Sequence, residues 1–119
     1  MKRFIRADMN AVETILNNLI SNALHYTPDD GSVVVGVFVQ DKWAVLEVRD
    51  TGIGISPENQ GRIFERFYRV DKARSKEVGG TGLGLAIVKH LTLALGGHIR
   101  LESSVGKGST FEVHLPMDL

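Results

Sequence analysis

Three short glycine clusters divide this sequence, and each stands where its apolar pattern changes. Asp50-Thr51-Gly52-Ile53-Gly54-Ile55 ends an extended apolar run. Gly80-Thr81-Gly82-Leu83-Gly84 opens a helical one, and Gly106-Lys107-Gly108-Ser109-Thr110 separates two runs of alternating pattern. The 119 residues include 13 glycines, against an average near ~7%, and most of that excess lies in these clusters. A glycine turn that opens a helix offers unpaired N–H groups and the positive end of the helix dipole to an anion.

Between the clusters, periodicity sets the elements. Val12, Ile15, Leu16, Leu19, Ile20, Ala23 and Leu24 recur at helical spacing, predicting a helix from about Met9 to Tyr26, with Asp8 as N-cap and Pro28 as stop. Ser32 to Gln40 is almost wholly apolar and β-branched, which predicts a strand covered on both faces. Asp41-Lys42 turns it back into a second strand, Trp43 to Arg49. Lys2 to Arg6 reads as a short edge strand, Gln60 to Arg66 as a short helix, and Val70 to Gly80, polar and aperiodic, as a mobile loop. A third helix is expected from Gly82 to Leu95, then strands at His98 to Glu102 and Ser109 to Leu115, the last with Phe111, Val113 and Leu115 on one face. Hairpins mixed with helices predict an α+β domain, a sheet with helices on one face.

The charge balance excludes some partners. Fourteen basic residues match 14 acidic ones, so nothing points to nucleic acid or an anionic membrane. Cysteine is absent, which removes thiolate metal sites and cysteine nucleophiles. His25, His90, His98 and His114 lack zinc-ligand spacing, and the last three are expected to be surface or packing residues.

The chemistry lies on one helix face and in the glycine loops. Thr14, Asn18, Asn22 and His25 fall within an arc of roughly 80°, away from the apolar stripe. Such a face is often merely solvated, but an amide oxygen is also a neutral hard ligand for Mg²⁺ and an amide NH₂ donates to phosphate. Asp50, at the end of a strand, can accept a hydrogen bond from an exocyclic amine, and Gly52 and Gly54 would let backbone approach a flat ligand. Two familiar nucleotide signatures fail: Ile87 stands where a dinucleotide fingerprint needs glycine, and no Ser or Thr directly follows Lys107 as a P-loop requires.

The order of these pieces resembles the catalytic domain of sensor histidine kinases. Asn18-Leu-Ile-Ser-Asn22-Ala-Leu-His25-Tyr26-Thr27-Pro28 is similar to their N box, and Asp50 to Ile55 to their first glycine box. Ile63-Phe64-Glu-Arg66-Phe67-Tyr68-Arg69 is similar to the phenylalanine box, Gly80 to Val88 to the second glycine box, and Gly106 to Phe111 to the last. The resemblance covers about Asp8 to Leu115. It implies a two-layer α/β sandwich, the Bergerat ATP-binding fold of gyrase B, Hsp90 and MutL, with a mixed sheet of about five strands and about three helices on one face.

It also implies roles. Asn22 would give its oxygen to the Mg²⁺ that bridges the phosphates of ATP, and Asn18 would contact the metal's shell or the phosphates. Asp50 would bind the adenine amine, with Gly52, Gly54, Ile55 and Thr110 around the base. Tyr26 and Tyr68 would lie near the nucleotide, and Gly80, Thr81, Gly82, Leu83, Gly84 and Leu85 would surround the phosphates. Arg69 would approach the γ-phosphate, Val70 to Gly80 would form a lid, and Asn18 and Arg69 are the expected catalytic residues. His25 stands where the family usually carries lysine or arginine; the resemblance places it near the nucleotide, and ATP affinity is expected to suffer from the loss of a permanent cation.

Hydrolases and serine kinases of this fold carry glutamate where Asn18 stands, because water or serine must be deprotonated. Asparagine suits a histidine acceptor, whose lone pair needs no base. The favoured reading is therefore ATP-dependent phosphorylation of a protein histidine. A nucleotide-sensing module without transfer activity and an anti-sigma-type serine kinase are the alternatives. The acceptor histidine would sit on a separate dimerisation domain of the same kinase, with a response regulator as an indirect partner. Residues 1–119 are expected to form the catalytic ATP-binding domain alone. It is expected to be monomeric and cytoplasmic, without direct contact to membrane or nucleic acid, in a parent that an inner membrane could anchor.

Overall fold

The computed structural model describes residues 4–5, 9–68 and 83–118. The chain runs β1 (Phe4–Ile5), α1 (Met9–Tyr26), β2 (Val33–Gln40), β3 (Trp43–Asp50), a single turn of helix α2 (Pro57–Gln60), α3 (Gly84–Ala94), β4 (His98–Ser104) and β5 (Gly108–Asp118). The sheet order is β1–β5–β3–β2, with β4 also on β5. Every pairing is antiparallel, so among the described residues the sheet is not the mixed one expected. Two-residue loops and short turns join β2 to β3 and β4 to β5, and hairpins of that kind can only run antiparallel.

The α+β expectation holds otherwise. α1 and α3 form one layer and the sheet the other. Val12, Ile15, Leu19 and Ala23 of α1 are buried against Leu46 and Val48 of β3, Phe111, Val113 and Leu115 of β5, and Val88 of α3. Each such side chain contributes about 1.5–3 kcal/mol on leaving water. Phe64 sets its ring edge-on to Phe111 at 6.2 Å and 82°; Val70 to Gly80, the expected lid, lies outside the described residues. The α3 helix ends with the Gly97 N–H on the Thr92 carbonyl and the Gly96 N–H on the Leu93 carbonyl, the doubled C-terminal cap that a glycine pair permits.

Two expectations are corrected. Gln60 to Arg66 is not a helix: α2 stops at Gln60, and the N–H groups of Arg62, Glu65 and Tyr68 each reach back three residues, to the carbonyls of Asn59, Arg62 and Glu65, in successive turns. Nor is β2 covered on both faces. Among the described residues it is an edge strand paired only with β3, and Val33 is its one residue packed against the core. The helices lie over the middle of the sheet and leave the rest of β2 bare.

The face opposite the helices carries its own cluster. His98 and His114, paired across β4 and β5, stack at 4.6 Å and 15°, and Trp43 meets His98 edge-on at 4.8 Å. His114 is buried and its Nε2 donates to Oε1 of Glu112 at 3.1 Å, since a carboxylate only accepts. That bond holds the Glu112 carboxyl below its ordinary value, aided by Glu47 and Arg100 and opposed by desolvation. A lowered carboxyl stabilises the fold at neutral pH and loses that contribution as pH falls through its titration. Glu112→Gln is therefore expected to cost about 1 kcal/mol at pH 7, with the deficit closing as urea unfolding is repeated below the ordinary value of 4.5. A deficit independent of pH contradicts this assignment.

Candidate functional site

Between the end of α1, the loop after β3 and the start of α3 lies a partly open pocket. Helical spacing sends Asn22 and Tyr26 into it from the last turns of α1. Asp50 and Ser109, directly paired across β3 and β5, form its polar floor and are both buried. Ile53, Gly54 and Ile55 form one wall, and Ile63, Tyr68 and Leu85 close it from the other side. The result is an apolar slot with one carboxylate, one hydroxyl and one amide converging on it.

The loop after β3 is held by backbone contacts. The Ile53 N–H donates to the Tyr26 carbonyl at 3.2 Å, tying the end of α1 to the cavity wall. The Gly52 N–H donates to Asp50 Oδ1 at 2.8 Å and fixes the carboxylate. A Cβ on Gly52 would fall 2.3 Å from the Tyr26 carbonyl oxygen. Gly54, at φ +74°, would place one 2.0 Å from the carbonyl oxygen of Ser104. These glycines let segments of the chain itself close on one another, whereas the sequence suggested that they make room for a ligand. Polar staples complete the wall. Ser103 Oγ accepts from the Ile55 N–H at 2.8 Å and lies 2.7 Å from Ser109 Oγ, while Gln60 Nε2 donates to the Ile55 carbonyl at 2.8 Å.

Tyr68 is fixed at the rim. Its hydroxyl donates to Asn59 Oδ1, and the Arg62 guanidinium lies 4.6 Å above its ring. Glu65, 3.2 Å from Arg62 Nε, raises the Arg62 pKa further by hydrogen bond and charge, so that cation is permanent.

Of the residues singled out in the sequence, Asn22, Tyr26, Asp50, Gly54, Ile55, Tyr68 and Leu85 meet at this cavity. Asn18 lies one turn back. Its Nδ2 donates to the Thr14 carbonyl at 2.8 Å, and its Oδ1 faces Gly84 at the start of α3. Gly52 stands behind Asp50, and Leu83 directly precedes α3. His25 sits in the last turn of α1 and is not among the residues lining the cavity. Thr110 is placed elsewhere: paired with Arg49, it belongs to the opposite sheet face and lines a shallow groove with Glu102 and Lys107. Ser109 occupies the position expected of it. That phase was legible, since Ser109 is in step with Phe111, Val113 and Leu115. Ile53 and Ile63, also missed, sit inside the first glycine box and the phenylalanine box. Arg69, Gly80, Thr81 and Gly82 lie outside the described residues.

Comparisons with known proteins agree with this fold. The profile of the histidine kinase-, DNA gyrase B- and HSP90-like ATPases matches residues 7–119. The sensor histidine kinase RppB of Synechocystis is 48% identical over 103 residues, 87% of this chain and 23% of that protein. WalK of Bacillus subtilis, also a sensor histidine kinase, is 44% identical over 95% of this chain and 19% of its own length. This chain thus spans about a fifth of the curated relatives it matches. Among solved structures, the mycobacterial sensor histidine kinase MprB superposes with a TM-score of 0.79 at 32% identity, covering 93% of this chain and 73% of that one. Full-length ShkA in complex with AMPPNP gives 0.81 at 35%, covering 93% and 22%.

Gly54→Ala is expected to cost roughly 3 kcal/mol, from left-handed strain and the clash with Ser104, and to lower ligand affinity with it. Thermal unfolding followed by circular dichroism checks the first effect. An unchanged midpoint contradicts the close contact.

Proposed function

The chain belongs to the histidine kinase-, DNA gyrase B- and HSP90-like ATPase family, and from that premise we propose that it binds Mg·ATP and transfers the γ-phosphoryl group to a histidine of a protein substrate. The observation that carries the reading is the convergence of Asn22, Tyr26 and Asp50 with apolar walls on one pocket.

In this reading the adenine enters between Ile53, Ile55 and Leu85, and Asp50 accepts from its exocyclic amine. A carboxylate fixed by the Gly52 N–H distinguishes adenine, which offers a donor there, from guanine, which offers an acceptor. The phosphates lie toward Asn22, Asn18 and the start of α3, where the positive end of the helix dipole favours anions.

The donor set also fits magnesium. Asn22 offers a neutral hard oxygen at the cavity edge, and no cluster of three His, Asp or Glu suited to a metal is present among the described residues. Mg²⁺ commonly takes one or two protein oxygens, several waters and the substrate's phosphates, so Asn22 with water would suffice to hold it. When bound, the ion would neutralise charge on the phosphates.

The protein's remaining task is to position the reactants and stabilise charge. The acceptor imidazole attacks the γ-phosphorus with its lone pair. An N–P bond forms as the bond to the leaving oxygen of ADP breaks. No proton need be removed from the attacking nitrogen beforehand, and the amide of Asn18, turned back on the Thr14 carbonyl, supplies no base for water. Arg69 would meet the charge that develops on the transferring group. The acceptor is carried on a dimerisation domain of the same kinase, and a response regulator receives the phosphoryl group afterwards. The relatives' names support this, since they are sensor histidine kinases. Among the described residues no helix is long and apolar enough to cross a membrane, and we place this part of the protein in the cytoplasm.

The test mixes this chain with an acceptor domain and labelled ATP. Label on histidine is expected with the native chain. Asp50→Asn should weaken ATP binding about tenfold or more, by loss of a charged hydrogen bond, and narrow the preference for ATP over GTP. Arg69→Ala should leave ATP binding nearly unchanged and depress transfer at least tenfold, as for a contact made in the transition state. Binding without any transfer to a folded cognate acceptor contradicts the kinase assignment.

A further inference from the structure

The most apolar stretch of the chain is largely uncovered. Val34, Val35, Val37, Phe38 and Val39 of β2 are 41–62% exposed. No charged residue and no proline occurs from Gly31 to Gln40. The register with β3 is continuous over all eight residues, without a bulge. Soluble proteins normally guard an edge strand with lysine, proline, a bulge or short length, and β2 has none of these.

Gly36, in the middle of that edge, adds a second observation. A Cβ there would meet nothing within 4 Å, and its φ is not among the positive values. The fold of this chain therefore does not require glycine at 36. Glycine weakens a strand, and inside one it often marks the close approach of another backbone.

The ends of β2 say which backbone. Asp29 and Asp30 precede the strand, and Asp41 and Lys42 follow it; all are exposed. If two copies meet edge to edge, antiparallel about a two-fold axis at Gly36, Val35 faces Val37 of the second copy, Val34 faces Phe38 and Val33 faces Val39. Beyond the strand ends, the exposed Asp29–Asp30 turn of one copy comes near the Asp41–Lys42 turn of the other, twice over. A parallel pairing sets like ends together. The other long edge, β4, carries Arg100 and Glu102, so joining β2 to β4 would set apolar residues against charges.

We propose that two copies of this chain pair through β2, antiparallel and centred on Gly36, to form one sheet across both. A symmetric contact of this kind closes on itself as a dimer. One strand from each side is a small interface beside the ~1,200–2,000 Å² of stable complexes, so the dimer forms and dissociates with concentration. The strand's beginning is tied to the candidate site, because the Ser32 N–H donates to Thr51 Oγ1 at 2.8 Å next to Asp50. Pairing thus braces one end of the cavity. The monomer expected from the sequence is the dissociated form.

Sedimentation over a wide concentration series tests the proposal. The native chain should double in mass toward high concentration and go no further. Val37→Lys, at a position 62% exposed, should fold normally by circular dichroism and weaken association by roughly tenfold or more, since the change occurs in two symmetric pairs. Val35→Lys, at the position that faces Val37 across the axis, should weaken it likewise. A native chain that stays monomeric at the highest concentration, a Val37→Lys or Val35→Lys variant that dimerises like the native chain, or unlimited growth in mass each overturns the proposal.

Discussion

One backbone hydrogen bond, from the Ile53 N–H to the Tyr26 carbonyl, joins the two halves of the site. It ties the last turn of an 18-residue helix to the loop that leaves the central strand. Asn22 and Tyr26 on one side and Asp50 on the other are therefore held across one cavity. The bond can form only because Gly52 has no side chain: a Cβ there would collide with the Tyr26 carbonyl. The same loop is held at its other end, where Gly54 meets Ser104 and Ile55 meets Ser103. The glycine box thus acts as a joint between the helix, β3 and the β4–β5 turn. The cavity is what that joint leaves open.

What the sequence revealed of the fold followed the strength of its periodicity. α1 is found at its expected bounds because Val12, Ile15, Leu19 and Ala23 leave a single way to orient a helix on a core. β5 is found because Phe111, Val113 and Leu115 alternate. The same alternation, carried two residues back, reaches Ser109, whereas the family motif drew the eye to Thr110 on the other face. A strand's phase is a better guide to orientation than a motif's outline. β2 was misread for a different reason. An unbroken apolar run is equally compatible with burial on both faces and with an edge awaiting a partner, and only sheet order separates the two. The region after α2 was misread because Pro57 starts a helix convincingly, yet nothing after Gly61 sustains it.

Most of the candidate site was legible because its residues must be unusual in type. A buried carboxylate at a strand end, and amides stacked on a helix, are hard to explain by packing alone. The walls of the site were less legible. Ile53 and Ile63 are ordinary apolar residues whose role depends on where a loop closes. Asn18 shows the difference between presence and orientation: the sequence names the amide, while the structure shows it bonded back to Thr14 and facing Gly84. This polar but unreactive group beside the start of α3 is consistent with a proposed reaction in which the acceptor brings its own lone pair.

The central claim is that an adenine nucleotide occupies the cavity bounded by α1, the loop after β3 and α3. A crystal structure of this chain with Mg²⁺ and a non-hydrolysable ATP analogue tests it most directly. The account predicts the adenine between Ile53, Ile55 and Leu85, its amine on Asp50, and the metal on the Asn22 oxygen. A nucleotide seated elsewhere, such as the wider groove between Phe64 and α3, or bound with Asp50 and Asn22 untouched, would contradict it.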